Sequence, residues 1–436
     1  MKIRINYPLI SVILYYIVST SFFGLVDNET VRIVGFKLTD LFAMVMLVPI
    51  LLLYYYKRIT ISANYIYLML MTWVFYVILE ALVNSIFMDN VSFDYAIRSI
   101  RVYLYLAVFF LAAIPPSAAS VNKLLEAMIW LDFISSLLYN AQFITGVHFL
   151  KGHYLMNFSV GGMSFIRGYT GMPVSFVFDI CALLFLKNEI RIVRSSALRV
   201  LMALSIGLSC FATLTRGVYL VVCLMVSFYV FRTYVKRIDW KSLFIVLGYT
   251  VLLIYFITSP IVKDMAQMVV EDLKSPKTGN VSLRLSMLAE RVDYLTSHDQ
   301  LLFGIGPKSD SDPSVSLQFR YGVASQTGIV TDDIGMAGFF LQYGLMGFIL
   351  MIALLGGACL VKTPTNKGLM LAAKLQVLAF LLLYFDSGSL HYEKTLFVIG
   401  VYLAAIMRNS MACVQEGLSP DSPATFIKIK EDISHA

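Results

Sequence analysis

IGMAGFFLQYGLMGFILMIALLGGACL, residues Ile334–Leu360, is an apolar run that contains no charged side chain. A helix of about 20 apolar residues crosses a hydrocarbon layer about 30 Å thick, and this run is long enough to do so. It therefore predicts a transmembrane helix. Similar runs recur on both sides of it, which indicates a polytopic membrane protein.

The composition agrees with this interpretation. The chain has 436 residues, of which 59% are hydrophobic and 14% charged, and its mean hydropathy is +0.78. A soluble domain would expose much of that apolar surface to water. We predict an all-α integral membrane protein, a bundle of about twelve transmembrane helices with one large, partly helical external loop. The predicted spans are Tyr7–Val26, Thr39–Tyr56, Ala63–Val83, Ile100–Ile114, Leu124–Ile144, Pro173–Leu186, Val200–Leu214, Val218–Tyr234, Ser242–Thr258, Ile334–Leu360, Leu369–Phe385 and Thr395–Met407.

Basic residues in short loops set the orientation, because they are retained on the cytoplasmic side during insertion. The basic clusters fall on alternate sides of consecutive spans, which places both termini in the cytoplasm. The formal net charge of +7 is mainly this topogenic signal and indicates no nucleic-acid partner. The clusters are Lys2/Arg4, Lys57/Arg58, Lys187/Arg191/Arg194/Arg199, Arg232/Lys236/Arg237/Lys241 and Lys362/Lys367/Lys374.

On this topology residues 1–408 form a polytopic membrane domain with substantial external loops at 145–172 and 259–333. Residues 409–436, which contain Ser-Pro-Asp-Ser-Pro, are predicted to form a disordered cytoplasmic tail. The five cysteines lie in spans or in the tail without metal-ligand spacing. They indicate neither a disulfide nor a zinc site.

The external segment 259–333 carries three arginines, Arg284, Arg291 and Arg320, and ends in Asp332-Asp333 at the start of the next span. No nucleotide pool is expected on that face, so anionic lipid-linked substrate, phosphate or acidic protein are the partners left for the guanidinium groups. Apolar residues at helical spacing predict a helix that is capped by Ser282 and continues through about Thr296. Arg284 and Arg291 are seven residues apart and lie on one line of this helix.

Arg216 lies in the tight connection Leu214–Gly217 between two predicted spans, at the outer membrane boundary. An arginine there is costly unless it faces a wet cavity or an anion; the alternative is a side chain that snorkels to lipid phosphates. Arg98 and Arg101 share a helical face at the outer entry to the fourth span, with the same alternative. Arg167 lies in the first external loop.

Four acids lie inside predicted spans, where each should face the bundle interior. Arg98 or Arg101 as their partners would make them structural ion-pair members, and they define no proton pathway. The acids are Glu80, Asp132, Asp179 and Asp386. After Asp386, a short external hairpin carries His391 and Glu393, which either help to shape a site or form a simple polar turn.

Two patterns lack the context that their chemistry needs. Gly304-Ile305-Gly306 has no flanking strand and helix and lies on the side without nucleotides, so it does not predict a nucleotide loop. Asp310-Ser311-Asp312 has no further carboxylate at fixed spacing, which favours a solvated loop over a metal site.

Three pieces of the sequence, taken together, resemble the bacterial O-antigen polymerase and ligase family, which includes the Wzy-type polymerases. Leu214–Gly217 resembles the family's Ser-Arg-Gly turn. Arg284 followed by Leu302–Gly306 resembles its arginine helix leading to a Pro-Leu-Phe-Gly-x-Gly turn. Asp332-Asp333 followed by Gly338–Gly347 resembles its His/Asp-Asn turn before a Gly-x-x-Gly span. The order and spacing of the pieces resemble those of the family, and together the pieces cover roughly the C-terminal half of the chain.

The sequence also departs from the family pattern. Thr215 stands where the family often has Ser, and Gln300-Leu301 replaces the usual residues before Leu302. Asp332 stands where the ligases resemble one another in having a histidine, which they use at their active site. This last departure favours a polymerase over a ligase.

The resemblance implies an O-antigen or other surface-polysaccharide polymerase in the bacterial inner membrane, with its active site and both large loops facing the periplasm. The implied enzyme is a metal-independent, GT-C-like inverting glycosyltransferase that uses no cofactor and no nucleotide sugar. Its implied partners are undecaprenyl-pyrophosphate-linked glycans and membrane lipid, with a polysaccharide chain-length regulator as a further candidate.

In the implied reaction, a sugar hydroxyl of one lipid-linked unit attacks the anomeric carbon of another, and undecaprenyl pyrophosphate leaves. Guanidinium groups bind phosphate oxygens bidentately and stabilise the charge that develops on this leaving group. A carboxylate, Asp333 or Asp332, is the candidate general base; the alternative is an aspartate that caps the next helix. The pyrophosphate-binding candidates are Arg216 and Arg284, followed by Arg291 and Arg320, and further substrate-binding candidates are Arg98, Arg101, Arg167, His391 and Glu393.

Three alternative functions remain open. An O-antigen ligase, which transfers polymer to the lipid A-core, is the nearest enzymatic alternative. A secondary transporter places its substrate residues near mid-membrane and often has two matching halves, whereas this sequence shows no internal repeat and its polar residues crowd one face. A lipid-linked-oligosaccharide flippase has no need of the long arginine-bearing loop.

The basic-residue pattern makes a direct prediction about topology. A cysteine that replaces Ser309 should react with a membrane-impermeant thiol reagent added outside intact cells, because the loop 259–333 is predicted to be external. A cysteine that replaces Ser195 should react only after the cells are permeabilised. Labelling of the Ser195→Cys variant alone in intact cells would reverse the predicted orientation.

Overall fold

The computed structural model describes a mostly helical chain. The described residues are 7–26, 32–33, 36–57, 64–88, 93–113, 118–148, 150–151, 156–160, 163–167, 173–190, 193, 195–213, 215–235, 240–258, 280–307, 335–364, 366–386 and 393–416.

Fourteen α-helices lie within these residues, together with a 3-10 helix, a π-helical turn and two antiparallel hairpins. The α-helices are α1 (Tyr7–Ser19), α2 (Leu38–Lys57), α3 (Tyr65–Ile86), α4 (Phe93–Ile100), α5 (Val108–Ala113), α6 (Ala118–Thr145), α7 (Phe176–Phe185), α8 (Ser196–Ala212), α9 (Arg216–Val230), α10 (Trp240–Thr258), α11 (Asn280–Ser297), α12 (Gly335–Leu360), α13 (Lys367–Asp386) and α14 (Glu393–Glu416). The 3-10 helix is Arg101–Ala107, the π-helical turn is Phe231–Val235, and the strands are β1 (Arg32–Ile33), β2 (Phe36–Lys37), β3 (Met156–Val160) and β4 (Met163–Arg167).

Side-chain caps begin two of the helices. The side-chain oxygen of Asn64 accepts a hydrogen bond from the Ile66 N–H at 3.0 Å at the start of α3. The Ser195 hydroxyl accepts one from the Leu198 N–H at 3.4 Å at the start of α8. Each cap satisfies one of the amide groups that the first turn of a helix leaves without an intrahelical partner.

Within the described residues, five helical segments are long and apolar enough to cross a membrane, which confirms the prediction of a helical membrane protein. The same part of the chain contains four shorter apolar helices. The count of twelve crossings stays a prediction. The five long segments are Tyr65–Ile86, Val121–Thr145, Gly217–Tyr234, Gly338–Leu360 and Lys367–Tyr384, and the four shorter helices are Leu9–Ser19, Arg101–Ala113, Phe176–Phe185 and Ser196–Ala212.

The first predicted span, Tyr7–Val26, is too long, because α1 ends at Ser19. Ser21, Phe22 and Phe23 adopt positive φ values, which a right-handed helix does not contain. The chain turns here while the hydropathy of the sequence stays high. Hydropathy alone therefore places the end of this helix too late.

The fourth predicted span, Ile100–Ile114, is not a continuous α-helix. It begins as the 3-10 helix Arg101–Ala107 and continues as α5. A 3-10 helix rises about 2.0 Å per residue against about 1.5 Å in an α-helix, so the segment is longer than its residue count suggests. Arg101 is its first residue.

A β-hairpin lies within the predicted external loop 145–172, for which no regular structure was predicted. β3 and β4 pair antiparallel over five residues each. Apolar and polar residues alternate along Met156–Val160 and Met163–Ser164, and Gly161-Gly162 separates the two runs in the sequence. Alternation on both sides of a Gly-Gly pair is a hairpin signal.

The core is built around α14. Nearly every side chain from Leu396 to Met407 is buried, so this helix is covered on all sides. It packs against α5, α6, α13 and the 3-10 helix. By contrast, α10 exposes Leu243, Phe244 and Leu247 along one face, as expected of a helix that borders lipid.

α14 also extends past the predicted boundary at residue 408. Asn409 is completely buried, and the Arg408 Nε donates a hydrogen bond to the Ala113 carbonyl at 2.5 Å. The helix ends at Glu416, directly before Gly417 in the sequence. Residues 409–416 are therefore helical and not a disordered tail, and residues 417–436 lie outside the described residues.

Candidate functional site

A break in α12 is the central feature of the candidate site. Gly344 has φ 60° and ψ −165°, which is far from helical geometry and falls in a region used essentially by glycine alone. The break separates a short helical segment that ends at Tyr343 from a longer one that begins at Leu345. Backbone groups on both sides lose their intrahelical partners.

A turn formed by Leu301–Gly306 supplies the missing partners. The Ile305 and Gly306 N–H groups donate to the carbonyls of Leu341 and Gln342 at 2.9 and 3.0 Å. In the reverse direction, the N–H groups that open the second helical segment donate to the same turn. These are Leu345 to the Leu301 carbonyl and Met346 to the Leu302 carbonyl, both at 3.0 Å.

Two glycines allow this close approach. A Cβ atom on Gly304 would lie 2.6 Å from the Gln342 carbonyl oxygen, and one on Gly344 would lie 2.5 Å from the Leu302 carbonyl oxygen. Both distances are far inside van der Waals contact. Any other residue at either position would separate the turn from the helix break.

Tyr76 of α3 lies against both the break and the turn. Its hydroxyl donates to the Tyr343 carbonyl at 2.6 Å and lies 3.4 Å from the Phe303 carbonyl of the turn. A Cβ atom on Gly347 would lie 3.1 Å from the Tyr76 ring. Next to it, the Glu80 carboxylate accepts a hydrogen bond from Asn84 Nδ2 at 2.7 Å. This network joins α3 to both segments of α12.

Aromatic rings fill the space beside the break. Trp73 stacks on Phe339 with the ring centroids 5.4 Å apart and meets Tyr343 edge-on at 5.6 Å. Tyr103 and Tyr384 complete the group through Tyr343 and Phe339. Edge-on and offset packing of this kind excludes water and stabilises a fixed geometry.

α11 leads directly into the turn and carries two of the predicted arginines. It begins at Asn280, two residues before the predicted cap Ser282, which therefore lies inside the helix. Leu295 of α11 packs on Ile305 and Leu341, so the helix is held against α12 close to the break.

Arg291 lies on the inner side of α11. Its side chain is completely buried, and its Nη1 donates to the Glu290 carboxylate at 2.8 Å. Burial of this charge fixes the rotation of α11 about its axis. Arg284 lies in the same helix two turns earlier, with only its backbone described.

Arg101, one of the predicted substrate-binding residues, pairs with Asp40 near the start of α2. Its Nε lies 2.9 Å from Asp40 Oδ2, and the Asp40 carboxyl group is completely buried. Arg101 therefore has a counter-charge inside the protein, on an acid that the sequence did not single out. Glu393, another predicted residue, is the first residue of α14, and its charge acts on Asp40 as a like charge.

The other predicted site residues are described only in part. Arg98 lies in α4, Arg167 ends β4, and Arg216 is the first residue of α9. The general-base candidates and two of the substrate-binding candidates lie outside the described residues. These are Asp332, Asp333, Arg320 and His391.

Three of the four intramembrane acids face the interior as predicted. Glu80, Asp132 and Asp179 are all buried, whereas the side chain of Asp386 lies outside the description. Arg101, one of the two partners predicted for them, pairs instead with Asp40, and Asp132 contacts Tyr16 and Lys394. The side chain of Arg98, the other predicted partner, lies outside the described residues. Among the described residues, no three His, Cys, Asp or Glu side chains are grouped to hold a metal ion.

The sequence analysis missed the residues that shape the break. Tyr76 and Asn84 look like ordinary polar positions in a span, because nothing local indicates that they meet another helix. Gly344 did carry a signal, since Gly304-x-Gly306 and Gly344-x-x-Gly347 belong to the two motif pieces that the structure packs together.

Comparisons with known proteins yield no match among family models and none among curated proteins. The resemblance to the O-antigen polymerase and ligase family therefore depends on the motif residues themselves. The contact between two of those motif pieces is the structural observation that bears on it.

The break generates a stability prediction with a matched control. Gly344→Ala should destabilise the protein by at least about 1–3 kcal/mol, the cost of a non-glycine residue in this backbone region, and the clash with Leu302 adds to it. Gly356→Ala makes the same change in the same helix, where the nearest atom is an Ile352 methyl 3.8 Å away. Thermal unfolding in detergent compares the two. Equal melting temperatures would contradict the assigned geometry at Gly344.

Proposed function

We propose that this protein is a surface-polysaccharide polymerase that joins undecaprenyl-pyrophosphate-linked oligosaccharide repeat units at the periplasmic face of a bacterial inner membrane. The reaction is an inverting glycosyl transfer that releases undecaprenyl pyrophosphate. The proposed topology has twelve membrane spans, cytoplasmic termini, and periplasmic loops at 145–172 and 259–333. A chain-length regulator is a proposed partner.

The contact between the Leu301–Gly306 turn and the break at Gly344 carries this proposal. The second family-like motif piece contains the turn, and the third contains the break. Backbone hydrogen bonds hold them together, although a long polar segment separates them in the sequence. Such a contact supports a common origin for the two motifs as parts of one site.

The contacts at two positions are compatible with the proposed topology. Asn84 directly follows the predicted span Ala63–Val83, and Arg101 lies at the start of the predicted span Ile100–Ile114. The basic-residue pattern places both at outer ends of spans. In the structure, Asn84 contacts Gly306 of the turn, and Arg101 pairs with Asp40. These contacts support a proposed outer face that is built from polar groups.

The proposed chemistry uses arginine as the counter-charge for pyrophosphate. As the anomeric carbon–oxygen bond breaks, its electron pair moves to the pyrophosphate, and the guanidinium groups of Arg216 and Arg284 stabilise that charge bidentately. Arg216 opens α9, so the N-terminal end of the helix dipole also favours an anion there. Asp333 or Asp332 accepts the proton of the attacking sugar hydroxyl.

The burial of Arg291 gives this residue a different proposed role from that of the other arginines. Arg291 is enclosed in the protein, and we assign it to holding α11 and thereby placing Arg284. Arg320, Arg98, Arg167 and His391 stay candidates for binding the sugars or the pyrophosphate.

Arginine geometry provides the first test. Arg216→Lys and Arg284→Lys keep the charge but lose the bidentate fork, so each should reduce polymerisation of purified undecaprenyl-pyrophosphate-linked repeat units by roughly 10²-fold, a loss typical of one oxyanion-stabilising group. Arg232→Lys, an exposed position predicted to be cytoplasmic, is the matched control. If both test variants made polymer of normal length at normal protein abundance, Arg216 and Arg284 would not bind the pyrophosphate as proposed.

The two aspartates provide the second test. Asp332→Asn and Asp333→Asn preserve size and helix capping while removing the proton acceptor. One of them should abolish the ladder of surface polysaccharide in cells without lowering the amount of protein in the membrane. A normal ladder from both variants would leave the aspartates as helix caps and make His391 and Glu393 the next residues to test. In a polymerase defect, the lipid A-core still carries single, unpolymerised repeat units. In a ligase defect, it carries none, so the two defects can be told apart.

A further inference from the structure

Four buried polar side chains from four helices meet in the core, away from the break in α12. They are Tyr16 of α1, Asp132 of α6, Asp179 of α7 and Lys394 of α14. Tyr16, Asp132 and Asp179 are completely buried, and Lys394 is 8% exposed. Ionisable groups at such depth are costly unless their charges are compensated.

Asp132 is well compensated. The Tyr16 hydroxyl donates to Asp132 Oδ1 at 2.5 Å. Lys394 Nζ lies 3.7 Å from the same oxygen and 5.2 Å above the centre of the Tyr16 ring. A hydroxyl and an ammonium group therefore stabilise a negative charge on this carboxylate.

Asp179 has no comparable compensation. It is completely buried, and Asp132 is close enough for the two carboxyl groups to interact electrostatically. Neither Asp179 oxygen receives a hydrogen bond from any residue that the structure describes. Asp132 Oδ2 also lacks a donor within that part of the chain. A buried carboxylate without donors beside a second carboxylate is strongly unfavourable.

The surroundings offer no second positive charge within the described residues. α6 adds Ser135, α7 adds Ser175 and Cys181, and α14 adds Tyr402. On the side of α13, the Gln376 Oε1 is already occupied, because it accepts the N–H groups that open α7. Two carboxylates and one ammonium group thus leave one negative charge to be balanced.

We propose that Asp132 and Asp179 together bind one proton, which Asp179 holds and donates as a hydrogen bond to Asp132 Oδ2. This single proton satisfies the unpartnered Oδ2 of Asp132, gives Asp179 a hydrogen bond and brings the charge of the group to zero. It links α6 to α7 while Lys394 and Tyr16 link α6 to α14 and α1. The site goes beyond the proposed polymerase function and does not depend on it.

Infrared spectroscopy of the purified protein tests for the proton directly. At neutral pH the wild-type protein should show the carbonyl stretching band of a protonated buried carboxylic acid, and Asp179→Asn should remove that band. Asp293→Asn, an exposed aspartate of α11, is the control and should leave it in place. A difference spectrum between wild type and Asp179→Asn without this band would overturn the proposal.

Thermal unfolding in detergent tests the assignment of the charges. Asp179→Asn replaces a neutral acid by a neutral amide that also donates, so its melting temperature should stay close to that of the wild type. Asp132→Asn removes the nearest counter-charge of Lys394, so Asp179 must give up its proton to balance that ammonium group, and the melting temperature should fall further than in Asp179→Asn. The double variant Asp132→Asn/Lys394→Met should recover most of that loss, because Asp179 can then keep its proton.

Two outcomes would contradict the shared proton. Equal damage from Asp179→Asn and Asp132→Asn would mean that Asp179 carries a needed negative charge. Stabilisation of the wild type by sodium chloride over choline chloride, absent in Asp179→Asn, would mean that a sodium ion balances the charge instead. The expected result is equal stability in both salts.

Discussion

Inside a membrane protein, a backbone N–H or C=O group without a partner costs several kcal/mol, and every interruption of a helix must therefore be repaired locally. In this protein, the repair at Gly344 has long-range consequences. The Leu301–Gly306 turn supplies both donors and acceptors to the two sides of the break. The break therefore holds the turn in one position, and the turn in its place holds the end of α11. The position of the arginine-bearing helix is thus set by backbone hydrogen bonds of an apolar span.

Buried polar side chains elsewhere in the bundle also need partners inside the protein. Asp40 meets Arg101, Glu80 meets Asn84, and Asp132 meets Tyr16 and Lys394. Two of these three networks join helices that are distant in the sequence, because a buried charge finds its counter-charge on whichever helix packs against it. They hold these helices in one arrangement. The proposed pyrophosphate site needs such rigidity, since bidentate contacts tolerate little displacement.

Elements that depend on local interactions could be predicted from the sequence, whereas contacts between elements could not. Most spans and α11 follow from hydropathy and helical spacing, because a helix satisfies its own backbone. The break at Gly344 interrupts a continuous apolar run, and glycine is common in transmembrane helices, so hydropathy does not reveal it and only the Gly-x-x-Gly motif marks the position. Lys394 as the partner of Asp132 is equally invisible, because only the packing of α14 against α6 brings them together. Asp332 and Asp333 stay predictions.

The contact at the break also explains which motif positions must keep their residue and which can vary. The turn and the helix meet through backbone atoms, so the contact demands glycine at positions 304 and 344 while side chains such as Gln300 and Leu301 can vary without breaking its hydrogen bonds. The departures from the family pattern at Gln300-Leu301 fall where the contact asks only for a backbone carbonyl. The packing of α12 therefore explains why glycine is needed at these two positions and why their neighbours are free to vary, while the family relationship stays a proposal.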